Sequence, residues 1–143
     1  MVGVCGDLKR FTPIATEGLV STAPVLTLWE GVIMYLTETA IDATVKCVRQ
    51  YSAAGSQLAL NYVMTGPRRR PTLLHRVTGL VGEPVRFGGW RPEDLPAWMG
   101  ERGFQLLWDR SDVELARALL PEPWASGFHS PRSRVALAAL PAS

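Results

Sequence analysis

Apolar positions in the chain fall into short blocks separated by turn-forming residues, and the spacing inside each block changes from one to the next. Residues 25–29, VLTLW, are a compact apolar run with Pro24 before it and Glu30-Gly31 after it. Such a run reads as a strand of a parallel sheet, apolar on both faces rather than alternating. After Thr37 the spacing becomes helical, with Ile41, Val45 and Val48 recurring at steps of four and three on one face. Thr37 suits the N-cap, Glu38 suits the positive end of the helix dipole, and Ala54-Gly55 is the expected stop. QLALNYVM, residues 57–64, reads as the next strand, which makes 25–64 a βαβ core.

The remaining blocks are shorter. Residues 2–8, VGVCGDL, have the character of a short strand with Asp7 at its end. Residues 65–72 read as a wet loop, because Arg68-Arg69-Arg70 stand between Pro67 and Pro71. The C-terminal part, 73–143, predicts a short helix over 72–79 and a helix near 93–102 that ends at Gly103. In that second helix Pro92 is placed as a first-turn proline and Pro96 must fall early. A strand follows over 104–109, then a helix over about 112–120 with Ser111 and Glu114 at capping-box spacing. The last strand spans 134–140 and is expected to be antiparallel and near an edge. Five strands and about four helices make an α/β arrangement.

Composition narrows the possibilities. The chain has 143 residues, of which 47% are hydrophobic and 20% charged, with five Trp. That is the composition of a packed interior, not of a disordered chain. Two cysteines, Cys5 and Cys47, cannot staple a secreted scaffold. No apolar run reaches the roughly 18 residues a membrane helix needs. The first residues lack the basic start and long apolar stretch of a secretory leader. The expectation is a cytoplasmic protein with no membrane partner. Residues 1–60 carry a net charge of −1 and residues 61–143 carry +3, neither of which calls for nucleic acid.

In open α/β sheets a ligand lies beyond the C-terminal ends of the strands. Asp7, Glu30, and Asn61 with Tyr62 occupy such positions. A carboxylate directly after an apolar strand is costly to bury unless it is paired. Gly31 beside Glu30 lets the backbone turn and a ligand approach. The spacing leaves two readings of Glu30 open. One is a carboxylate holding an ammonium or sulfonium group. The other is a solvated strand-end acid, or a cap for the Val32–Tyr35 turn. Tyr35 either lines the same cleft or packs. Trp29 and Trp90 suit core or cleft wall, and Trp98 suits helix-face packing. His75 and His129 lack metal-ligand spacing, so no metal is expected. The sequence has no nucleophile elbow, no Gly-Lys-Ser/Thr phosphate loop and no G-x-G-x-x-G.

The stretch LWEGVIMYLTETAIDATVKCV, followed by GSQLALNYV and later by GEPVRFGGWRPEDLPAWMGERGFQLL, resembles the leucine carboxyl methyltransferase family, in particular its bacterial S-adenosylmethionine-dependent branch. The resemblance implies a partial class I methyltransferase (Rossmann-like) fold, with a mostly parallel sheet lacking the first two strands. It implies S-adenosylmethionine as cofactor and a small-molecule carboxylate or hydroxyl as methyl acceptor. By the same resemblance Asp7 and Leu8 lie on the adenine side. Glu30 and Gly31 lie by the cofactor's methionine portion, with Tyr35 beside them. Family members are about twice this length, so residues 1–143 are expected to be the C-terminal half of the domain. The family's glycine-rich loop and ribose-binding acid are not in the chain, and Asn61 stands where Asp is common. On that ground the chain alone is expected to bind the cofactor no more tightly than about millimolar. The alternative is a non-catalytic remnant or interaction domain. Strand 25–29 is expected to have a free apolar edge, open to a missing N-terminal half or to a second copy.

Overall fold

The structure is a computed structural model and describes residues 22–65 and 89–142. Strand β1 covers Leu26–Trp29, and a 3-10 turn at Ile33–Tyr35 leads into helix α1, Glu38–Gln50. Strand β2 spans Gln57–Val63. Then come α2 (Leu95–Gly100), β3 (Gln105–Ser111), α3 (Asp112–Leu119), a second 3-10 turn at Ala125–Gly127, and β4 (Ser133–Ala139). The predicted strand over 2–8, the arginine loop and the helix over 72–79 lie outside the described residues.

Local sequence explains these boundaries. Thr37 Oγ1 accepts a hydrogen bond from the Ala40 N–H at 3.2 Å, so α1 starts where its cap predicts. The helix ends at Gln50, earlier than Ala54-Gly55 suggests. Gly55, at φ +79°, instead makes the turn into β2, where its N–H meets the Leu140 carbonyl. Pro96 falls in the first turn of α2, as expected, whereas Pro92 lies outside the helix. Ser111 and Glu114 form the full capping box at the start of α3.

The sheet order is β1-β2-β4-β3. Strand β1 pairs with β2 in parallel, while β4 pairs antiparallel with both β2 and β3. The expectation of a mostly parallel sheet is therefore wrong for the described residues. The sheet is mixed, because the C-terminal strand enters against the direction of its two neighbours. Strand β4 is antiparallel as predicted and lies next to the edge strand β3, paired on both sides. Its side chains suit that position: Ala136 and Ala138 are small and fully buried.

One face of the sheet carries the core. Leu58, Leu60 and Tyr62 of β2 pack with Ile41 and Val45 of α1, Leu95 and Met99 of α2, and Phe104. Strand β1 is not buried on both faces, which corrects a second expectation. Trp29 faces the core, but Leu26 is 58% and Leu28 72% exposed. They lie on the opposite face, in register with Gln57 and Ala59. Among the described residues no helix is long and apolar enough to cross a membrane.

Candidate functional site

The candidate site is built at the end of β1. Trp29 anchors the strand in the core, and the chain then leaves the sheet at Glu30. Gly31 has φ +73°, a backbone conformation that L side chains resist. Its N–H donates to Asn61 Oδ1 of β2 at 2.8 Å, which ties the turn after β1 to the C-terminal half of the neighbouring strand. Asn61 thus enters the site as a backbone anchor. No ion pair or hydrogen bond to a described residue engages the Glu30 carboxylate, and the side chain is exposed. Tyr35 closes the 3-10 turn and is 36% exposed.

The structure therefore brings Glu30, Gly31, Tyr35 and Asn61 to one end of the parallel pair. Asp7 and Leu8 lie outside the described residues. A cavity of about 420 Å³ opens beside the start of α1, lined by Glu38, Thr39, Ile41, Asp42, Gly89, Trp90, Trp98 and Arg102. None of the predicted site residues lines it. Trp98 is thus both helix-face packing and cavity wall. Trp90 is buried, with its ring 4.8 Å from that of Trp98.

Two charged clusters had no motif to announce them. In the first, Arg102 Nε and Nη2 hold Asp42 Oδ1 at 2.8 Å, and Arg102 Nη1 donates to the Trp98 carbonyl at 2.7 Å. The guanidinium lies 3.7 Å from the centre of the Trp98 ring. Lys46 reaches Asp42 at 2.7 Å from one turn further along α1. The Lys46 hydrogen bond above all, with help from Arg102, holds the Asp42 carboxyl below the usual aspartate range.

The second cluster spans three strands. Tyr62 donates its phenol to Asp109 Oδ2 at 2.6 Å, and Arg134 Nε donates to Asp109 Oδ1 at 2.9 Å. Burial, reinforced by the Asp109 carboxylate, pushes the Tyr62 phenol well above the usual tyrosine range. Tyr62 is therefore not a strand-end ligand group. It faces the core, where a partly buried ion pair satisfies its hydroxyl. Among the described residues no group of His, Cys, Asp and Glu could hold a metal ion. Cys47 is half-buried with a free thiol that burial raises, and His129 is exposed.

No protein-family model matches the chain. It is 28% identical over 132 residues to a "Putative S-adenosyl-L-methionine-dependent methyltransferase" of Mycobacteroides abscessus, covering 80% of this chain and 42% of that protein. The chain thus spans less than half the length of the relative it matches. Among solved structures it overlays TnmH with a TM-score of 0.49 at 11% identity, covering 87% of this chain and 33% of that one. It overlays the pyocyanin biosynthetic protein PhzM at 0.46 and 16%, covering 94% and 33%. For the mitomycin 7-O-methyltransferase MmcR the values are 0.46 and 12%, covering 87% and 32%. The chain bears a distant resemblance to S-adenosylmethionine-dependent methyltransferases, over part of larger proteins.

Proposed function

We propose that these residues belong to an S-adenosylmethionine-dependent methyltransferase of the leucine carboxyl methyltransferase type, acting on a carboxylate or hydroxyl oxygen of a small molecule. The observation that carries this reading is the end of β1. A carboxylate with no partner among the described residues, Glu30, stands directly after a core-anchored parallel strand, next to a positive-φ glycine held by Asn61. The distant methyltransferase relative adds support.

The residues fit the cofactor in two respects. The Glu30 carboxylate has no described partner to satisfy it, and a Cβ placed on Gly31 would meet nothing within 4 Å, so the backbone there is approachable. When bound, the cofactor supplies an electrophilic methyl group. The chain's own task is alignment and electrostatics. Glu30 faces the positive charge of the cofactor's methionine portion. The Gly31 turn, fixed by Asn61, sets where that carboxylate points. Tyr35 walls the same end of the sheet, and Asp7 and Leu8 serve the adenine side. A carboxylate acceptor needs no strong general base.

The position of the described cavity favours a second reading. It lies at α1 and shares no residue with Glu30, Gly31 or Tyr35, as it would in a domain that kept the packing and lost the chemistry. Calorimetric titration of S-adenosylmethionine into the chain separates the two. The methyltransferase reading expects binding in about the millimolar range that Glu30→Ala abolishes. No detectable heat upholds the remnant. Tight binding indifferent to Glu30→Ala removes the cofactor from this site.

A further inference from the structure

The two ends of the sheet are built differently. Strand β3 is edged with Asp109 and Arg110, and its register with β4 shifts between Leu106 and Trp108. Charges and a bulge are the usual guards of an edge strand. Strand β1 has neither. Its four residues, Leu-Thr-Leu-Trp, carry no charge, and its register with β2 is unbroken. Among the described residues nothing pairs with its outer edge.

The backbone of that edge has a defined polarity. Val25 turns both its backbone groups inward: its N–H donates to Ser56 Oγ at 3.0 Å and its carbonyl accepts from the Gln57 N–H at 2.8 Å. Backbone groups of successive strand residues alternate in direction, so those of Leu26 and Leu28 point outward. The side chains of the same two residues are the exposed leucines on the face away from the core.

We infer that this edge pairs with β1 of a second copy, antiparallel, about a two-fold axis through Thr27. The sequence is self-complementary about that residue. In this register Leu26 of one copy lies opposite Leu28 of the other, and each such pair exchanges two backbone hydrogen bonds. The four leucines then share one face of a sheet that joins the four described strands of each copy. Thr27 meets Thr27, and Val25 meets Trp29, both favourable cross-strand pairs. Glu30 falls opposite Pro24, beyond the paired residues, so no like charges meet. Centring the axis on Leu28 would set Glu30 against Leu26. Centring it on Leu26 would set Pro24, which has no N–H, against Leu28.

Sedimentation of the full chain at about 100 µM tests this. A dimer is expected, and Leu28→Lys should make it monomeric and lower the thermal midpoint only by the concentration-dependent share that dimerisation adds, since Leu28 is exposed within one copy. Leu119→Lys, at an exposed leucine on α3, should leave the dimer intact. A monomeric wild-type chain assigns the edge to another occupant and overturns the inference, as does a dimer that survives Leu28→Lys. Cross-linking tests the register. In a Cys5→Ser, Cys47→Ser background, Thr27→Cys should form a disulfide-linked dimer readily, because directly opposed Cα atoms lie about 4.5 Å apart. Leu28→Cys should not, because its own copy lies on the diagonal at roughly 7–8 Å. The reverse order would overturn the register.

Discussion

Gly31 and Asn61 are joined by one hydrogen bond, from the glycine N–H to the side-chain oxygen, and that bond fixes how the chain leaves β1. Glu30 precedes the glycine, so its carboxylate is aimed by a residue on a different strand. Asn61→Ala is expected to cost about 1 kcal/mol of stability, the ordinary net value of such a bond. It should weaken cofactor binding more than the stability loss explains. Asn61→Asp keeps the acceptor and should restore stability to within about 0.5 kcal/mol. Urea melts and calorimetry on the two variants check this.

Gly31 itself should resist substitution for a different reason. A Cβ there meets no neighbour, so crowding is not the issue. The cost comes from φ +73°, which favours glycine over other residues. Gly31→Ala is expected to lose about 1 kcal/mol. Gly89→Ala should be far worse, because its Cβ would collide with the Val63 carbonyl. Thermal midpoints of the two variants should therefore separate widely.

The Tyr62, Asp109 and Arg134 cluster crosses β4 to join β2 to β3. Its side chains are largely buried, with Asp109 8% and Arg134 16% exposed. Tyr62→Phe removes one donor and should cost about 1–2 kcal/mol. Arg134→Met leaves a buried carboxylate uncompensated and should cost about 3–5 kcal/mol. The double variant should be less destabilised than the sum. Additive losses in that cycle would show that the groups do not act as a unit.

Much of this fold was legible in the sequence, for identifiable reasons. Helix α1 follows from Ile41, Val45 and the Thr37 cap, and α3 from Ser111 and Glu114, because caps and periodicity are local signals. Strand direction is not local. The run RVALAAL does not say which neighbours it has, so the interior place of β4 and the mixed sheet could not be read from it. Burial of β1 is not legible for a related reason: an apolar run states what a strand tolerates, not what covers it, and Leu28 is left exposed. At the candidate site, Glu30 and Gly31 are legible from their place after the strand. Asn61 is legible as a strand-end polar group, but its bond to Gly31 depends on strand register. Asp42 with Arg102, and Asp109 with Arg134, are ion pairs 60 and 25 residues apart in sequence. Asp109, the charged residue that ends the apolar stretch 104–109, is the hint the sequence carries of the second pair.

The link between α1 and α2 should give the protein a measurable acid limb. Asp42 accepts from Lys46 and Arg102, and its carboxyl is held below the usual aspartate range, with the Lys46 bond the larger cause. A carboxyl depressed on folding contributes stability above its unfolded value, near pH 3.9, and loses it as pH falls through the lower folded value. Asp42→Asn should therefore be less stable than wild type at pH 7. The gap should narrow below about pH 4 and nearly close by about pH 2. Most of the pair is partly solvated, so added salt should shrink the gap at pH 7 as well. Arg102→Met should show a larger loss at neutral pH, because it also gives up the Trp98 carbonyl bond and the stacking on the Trp98 ring. Urea denaturation of the three proteins at pH 7 and at pH 2 reads all of this. A gap of constant size across that range would mean the Asp42 charge does not stabilise the packing of α2 against α1.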